Sequence, residues 1–89
     1  MYTGRLAYVV KMRYPYSMEA LIVKADGKKL RRLRKLALMT QEELTRASGV
    51  SRDTIIRIEN GHDAHPSTIK KLAKALEVEG RELLSEDAE

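Results

Sequence analysis

The sequence has no cysteine, no tryptophan and no phenylalanine, and its only aromatic residues are four tyrosines. Without cysteine, neither a disulfide framework nor a thiolate metal site can form. No apolar run approaches the roughly 20 residues that a membrane-spanning helix needs. Lys11 and Arg13 interrupt the one apolar stretch near the N-terminus, so no secretory signal is predicted and a cytoplasmic location is expected. His62 and His65 have no third ligand nearby, so neither a metal site nor any cofactor is predicted.

The composition is that of one small globular domain, with 89 residues, 43% hydrophobic and 34% charged. The net charge is +4, and the sequence is basic up to about residue 61 and acidic after it. A basic front suits a polyanionic partner, but a charge this small equally fits an ordinary solvated surface. The motifs must therefore decide the function.

The first 25 residues have the pattern of β-strands. Polar and apolar residues alternate in Leu6–Tyr14, and Ala20–Lys24 is a second short run of the same type, so we predict an N-terminal β-hairpin over residues 1–25. An isolated hairpin is barely stable and must pack on something. Two interpretations of its tyrosines remain open: they form a dimer contact, or they cover the helical body. In another alternative, Met18 is the natural start and residues 1–17 are an upstream extension.

The rest of the chain has helical periodicity, and a domain over residues 26–85 with an acidic tail at 86–89 is predicted. Its start and stop signals are specific: Asp26, Thr40 and Ser51 are helix caps, Gly49 suits a left-handed helix end, and Pro66 suits a first helical position. Thr40 and Glu43 form a capping box. The predicted helices are Lys28–Leu38, Gln41–Ser48, Ser51 to about Asn60, Pro66 to about Leu76, and a short last helix near Gly80–Ser85. The predicted inward-facing residues are Leu30, Leu33, Ala37, Leu44, Ala47, Ile55, Ile58, Ile69, Leu72, Ala73, Leu76 and Leu83.

The helix–glycine–helix unit at residues 41–60 is the most informative segment. A tight turn lets the first helix cross a DNA backbone while the second lies in the major groove, where each base pair presents a distinct pattern of donors and acceptors. Arg52, Asp53 and Arg57 have the chemistry that reads bases, although they would also suit a solvated helix face. The hydroxyls of Ser51 and Thr54 can reach phosphate or base, and further candidates for phosphate contacts are Gln41, Arg46 and Asn60. The basic front of the Lys28–Lys35 helix is another candidate, although Lys28, Lys29 and Arg31 fit an ordinary charged surface equally well.

Five segments together resemble the Cro/phage-repressor type of helix-turn-helix protein, also called the xenobiotic-response-element type. They are Leu33-Arg34, Thr40-Gln41-Glu42-Glu43-Leu44, Ser48-Gly49-Val50-Ser51, Ile58-Glu59-Asn60-Gly61, and Pro66-Ser67 followed by Leu72-Ala73-Lys74-Ala75-Leu76. The resemblance implies a five-helix domain that binds operator DNA as a dimer and reads bases with its third helix.

The resemblance also implies roles for single residues. Gln41 would contact phosphate or support a base contact, and Arg34 would form a buried structural ion pair with Glu59. Two departures are visible. Thr45 stands where a small alanine is usual, and the loop after Asn60 offers histidine in place of the usual basic phosphate contacts.

The sequence therefore predicts a mainly α protein: a five-helix repressor-like domain preceded by a hairpin, acting as a sequence-specific DNA-binding regulator, as a repressor and as a homodimer. No enzyme is predicted, because no nucleophile–base pair, glycine-rich phosphate loop or metal cluster is present. The alternative function is an antitoxin or adaptor module that binds a toxin or the transcription machinery through the N-terminal segment.

Overall fold

The computed structural model describes residues 22–86. Four α-helices follow one another, and a short 3-10 helix ends the described chain. They are α1 (Gly27–Leu36), α2 (Gln41–Ser48), α3 (Arg52–Glu59), α4 (Pro66–Leu76) and the 3-10 helix Gly80–Leu83. The prediction of a mainly α fold is confirmed, but the fifth helix is a single 3-10 turn.

One hydrophobic core joins these elements. α2 packs against both α3 and α4, α1 packs against α3, and the 3-10 helix lies against α1 and α4. The core residues are Leu30, Leu44, Val50, Ile55, Ile58, Ala64, Ile69, Leu72, Ala73, Leu76 and Leu83. At about 1.5–3 kcal/mol for each fully buried aliphatic side chain, burial is the main force that holds the short helices together.

The close packing of α1 on α3 depends on Gly27. This residue is buried in the first turn of α1, and a Cβ at its position would press on the carbonyl oxygen of Ile58. Only glycine therefore allows the start of α1 to lie against the end of α3.

The segment before α1 forms isolated β-bridges and no regular strand between residues 22 and 86. Val23 pairs with Ala64 and Ala25 pairs with Leu84, both antiparallel. This differs from the prediction for the end of the second strand, which was expected to pair within a hairpin. The remainder of the predicted hairpin lies outside the described residues.

The end of α1 is earlier than predicted. The helix stops at Leu36, and Leu38 adopts a left-handed backbone with φ of 59°. The N–H groups of Leu38 and Met39 donate to the carbonyls of Lys35 and Arg34 at 2.9 and 3.1 Å, which closes the helix in a Schellman motif. The sequence has no glycine near residue 37, so the end of α1 at Leu36 was not predicted. The expected burial of Ala37 was wrong, because Ala37 is the C-cap of the helix and is exposed.

The predicted inward face of α2 was also partly wrong. Leu44 is buried as predicted, but Ala47 is exposed. The inward stripe of this helix consists of positions 41, 44, 45 and 48, at the 3–4 residue spacing of one helix face, and Ala47 lies off that stripe.

Candidate nucleic-acid interface

The turn between α2 and α3 has the geometry that its sequence predicts. At the start of α2, the Glu43 N–H donates to Thr40 Oγ1 at 3.0 Å and the Thr40 N–H donates to Glu43 Oε1 at 2.8 Å. At its end, Gly49 has a φ of 81° and its N–H donates to the Thr45 carbonyl at 2.8 Å. A residue with a Cβ would be strained in this left-handed conformation, so glycine permits the change of direction.

α3 divides into a buried face and an exposed face. Ile55 and Ile58 are buried, whereas Arg52, Asp53 and Arg57 are exposed. The two arginines and the aspartate therefore project from the domain, with Arg52 and Asp53 in the first turn of α3 and Arg57 in its last turn.

The two hydroxyl candidates are engaged with each other. Ser51 caps α3 by accepting from the Thr54 N–H at 3.2 Å, and its own hydroxyl donates to Thr54 Oγ1 at 2.9 Å. The oxygen of each hydroxyl can still take part in a further hydrogen bond, but the geometry also gives Ser51 a structural role as a cap. Asn60 is exposed directly after α3, where its backbone N–H ends the helix.

A buried carboxylate links α1, α2 and α3. The side chain of Glu59 has no exposed surface, and Arg34 donates to it through Nε at 2.7 Å and Nη2 at 3.1 Å. Gln41 Nε2 donates to Glu59 Oε1 at 3.1 Å, and Arg31 Nε donates to the same oxygen at 3.4 Å. The third donor group of Arg34, Nη1, reaches the Met39 carbonyl at 2.9 Å and so ties down the turn after α1.

The pKa of the Glu59 carboxyl lies below its usual value. Burial raises this pKa, but the hydrogen bonds from Arg34, Gln41 and Arg31, together with the positive charge of Arg34, lower it by more. Glu59 is therefore ionised at neutral pH and fixes the Gln41 amide at the first turn of α2.

Around this carboxylate lies an open cleft of about 420 Å³. Arg52 and Gln41, two of the sequence-predicted residues, line it together. The other lining residues are Arg31, Arg34, Lys35, Thr40, Glu42 and Glu59. Cations outnumber carboxylates here, so the cleft favours an anionic group near the beginnings of α2 and α3.

Two contacts around the predicted residues were not expected from the sequence. Arg31 shares Glu59 with Arg34, and the only sequence signal for this was the three-residue spacing of the two arginines on one side of α1. Ile22 lies with Thr54 and Arg57 around a second recess of about 320 Å³. No sequence signal connects these positions, because the Val23–Ala64 bridge brings them together.

The described residues include no group of three or more histidine, aspartate or glutamate side chains that could hold a metal ion. Between residues 22 and 86 there is also no helix with the length and apolar character needed to cross a bilayer.

Comparison with known proteins identifies the family. A model of the Helix-turn-helix family matches residues 30–83, which is more than half of the chain. This chain belongs to the helix-turn-helix family. The resemblance that the five sequence segments indicated is thereby confirmed, and the family is one of regulators and not of enzymes.

Three similar proteins illustrate the family. The HTH-type transcriptional repressor RghR of Bacillus subtilis (strain 168) is 48% identical over 54 residues, covering 58% of this chain and 40% of the relative. The uncharacterized HTH-type transcriptional regulator RghRB of the same organism is 43% identical over 61 residues, covering 66% and 44%. The crystal structure of the restriction-modification controller protein C.AhdI from Aeromonas hydrophila aligns with a TM-score of 0.62 at 39% identity, covering 65% of this chain and 89% of that chain. This chain spans less than half the length of the two Bacillus relatives.

Proposed function

We propose that this chain is a sequence-specific double-stranded DNA-binding transcription regulator that acts as a repressor and as a homodimer. The observation that carries the proposal is the exposed face of α3, which presents Arg52, Asp53 and Arg57 directly after the Gly49 turn. The family match and the names of the two Bacillus relatives support the same function.

In the proposed complex, α3 lies in the major groove with its first turn deepest. An arginine there can donate to O6 and N7 of a guanine, and Asp53 can accept from the amino group of a cytosine or orient a neighbouring arginine. Arg52 is the leading candidate because it is exposed in the first turn of α3, the end that enters the groove in this proposal.

The cleft takes the phosphate backbone in this proposal. Gln41 has one amide hydrogen bonded to Glu59, which leaves its second amide hydrogen for a phosphate oxygen. Ser51, Thr54 and Asn60 are further candidates for phosphate or base contacts. Such contacts fix the register of α3 on the duplex without reading the sequence.

The test is selection of bound duplexes from a randomised pool, followed by binding measurements on the selected site. We expect a site with two related halves about one helical turn apart, roughly 34 Å, because a two-fold dimer repeats its contacts at that distance. Recovery of a pool no different from the starting one would refute sequence-specific binding, and a single unrepeated half would refute the homodimer.

Replacement of Arg52 by alanine tests the base-reading residue. We expect binding to the selected site to weaken by about 1–3 kcal/mol, with relaxed preference at one base pair and little change on unrelated duplex. Arg81→Ala, which removes an exposed arginine of the 3-10 helix, is the matched control and should bind both duplexes as the parent protein does. Equal losses on selected and unrelated DNA would assign Arg52 to the phosphates instead.

A further inference from the structure

The outward face of α1 carries an uninterrupted stripe of positive charge. Arg31 and Arg32 are adjacent, and each lies three or four residues from both Lys28 and Lys35, so the four share one side of the helix together with Leu36. These five side chains line a shallow groove of about 390 Å³, and the described residues around it contribute no carboxylate. We call this surface the α1 stripe.

The α1 stripe is continuous with the proposed DNA interface. Arg31 and Lys35 line both the groove on α1 and the cleft that contains Gln41 and Arg52. A surface on which cations outnumber carboxylates therefore runs from the first turn of α3, past Gln41 and Glu42 at the beginning of α2, and onto the outer side of α1.

Two of the positive side chains in the α1 stripe have no acidic partner between residues 22 and 86. Arg31 is half exposed and shares Glu59 with Arg34, whereas Lys28 and Arg32 are exposed and form no ion pair with any residue between 22 and 86. α1 itself contains no acidic residue, so like charges follow one another at spacings where they repel. A polyanion laid along the stripe would relieve that repulsion.

We propose that the α1 stripe binds the phosphate backbone of duplex DNA that flanks the site read by α3. The proposal rests on the DNA-binding function proposed above. The stripe from Lys28 to Lys35 is roughly 10 Å long at the rise of an α-helix. Since successive base pairs rise by 3.4 Å, the stripe matches about three base pairs of backbone. Flanking duplex then adds affinity without adding sequence preference.

The experiment compares two duplexes that share the same selected site, one with flanks of about two base pairs and one with flanks of about ten. The test variant is the double substitution Lys28→Gln and Arg32→Gln, which removes two exposed charges from the stripe but none from the cleft. Glutamine keeps a helix propensity similar to that of lysine and arginine, so α1 should fold normally. The matched control is Lys70→Gln with Lys74→Gln, which removes two exposed lysines at the same four-residue spacing on α4.

We expect the parent protein to prefer the long duplex and the α1 variant to lose that preference. The loss of two phosphate contacts should weaken binding to the long duplex roughly 10- to 60-fold at 0.1 M salt. The negative slope of log K against log salt should become shallower by about 1.8. Binding of the α1 variant to the short duplex, and of the α4 control to both duplexes, should stay within about twofold of the parent.

Three results would overturn the proposal while leaving the function intact. The first is equal affinity of the parent protein for short and long duplexes, and the second is equal loss by the α1 and α4 variants. The third is unchanged binding of the α1 variant to long DNA, which would leave the stripe for an acidic protein partner. If the parent protein binds no duplex in a sequence-dependent way, the proposed function itself fails.

Discussion

Loss of Arg34 should be among the most destabilising single changes in the described domain. The substitution Arg34→Met keeps the aliphatic stem but leaves the Glu59 carboxylate buried with only Gln41 and the more distant Arg31 as donors. It also removes the donor to the Met39 carbonyl. Removing one partner of a buried ion pair costs about 3–5 kcal/mol.

The stability cost of Arg34→Met should depend on pH, because the ionised Glu59 carboxylate stabilises the parent protein but destabilises the variant. In the parent protein the pKa of Glu59 is lowered by folding, so its stabilisation is present above the unfolded pKa and is lost as pH falls through the lowered folded pKa. Without Arg34, burial would raise the folded pKa instead, and the penalty would disappear once the carboxyl is protonated. The difference in unfolding free energy between parent and variant should therefore be largest near pH 7 and clearly smaller near pH 4, about the unfolded pKa of glutamate.

Urea unfolding followed by far-UV circular dichroism at both pH values measures these differences. The control is Arg81→Met, which breaks an exposed pair with Glu79 whose members are 82% and 69% exposed and should cost under about 1 kcal/mol. A small domain can lose most of its stability with Arg34→Met, so Arg34→Lys, which keeps the charge but not the two-point contact, provides a milder second variant. The reasoning is wrong if Arg34→Met costs no more than Arg81→Met, or if its cost is the same at pH 7 and pH 4.

Two further predictions concern single positions in the helices. Thr45 Oγ1 is buried and finds no hydrogen-bond partner in residues 22–86. Thr45→Val should therefore raise the free energy of unfolding by about 1 kcal/mol, whereas Thr45→Ser should lower it. A valine variant that is less stable in urea unfolding would contradict this. A methyl group at Gly27 would meet the Ile58 carbonyl, so Gly27→Ala should lower the thermal midpoint despite the better helix propensity of alanine, while Gly80→Ala, whose Cβ has room beside Ile69, should shift it little.

The parts of the fold that sequence predicted well are those with local chemical signals. The bounds of α2 and α4 were correct because a capping box, a left-handed glycine and a first-turn proline mark them. The end of α1 was missed because Leu38 occupies a left-handed position that usually belongs to glycine or asparagine, and its stop depends on hydrogen bonds back to Arg34 and Lys35. Local pattern also could not show that residues 23 and 25 pair with distant residues 64 and 84.

In the candidate site, too, features with local sequence signals were predicted and features that depend on tertiary contacts were not. The exposed arginines of α3 followed from helical spacing after Gly49, since a residue's face on a short helix is nearly fixed by its neighbours. The network at Glu59 could not follow from spacing, because it joins three helices and requires the tertiary arrangement that brings Arg31 and Gln41 to one carboxylate oxygen. Continuity between the α1 stripe and the cleft likewise exists only in three dimensions.

The hydrogen bonds at the edges of the described chain have a topological consequence. The Asp26 N–H donates to the Leu83 carbonyl at 2.8 Å, and the Ser85 N–H donates to the Lys24 carbonyl at 3.0 Å, so the first and last segments of the helical body are neighbours. A short peptide linker between them would make a covalent ring with little strain, and the exposed turn at Leu38 offers a place to reopen it. A circularly permuted domain cut there would carry α1 and α2 at opposite ends of its chain, and the hydrogen bonds of Leu38 and Met39 that close α1 would no longer be held by a continuous turn.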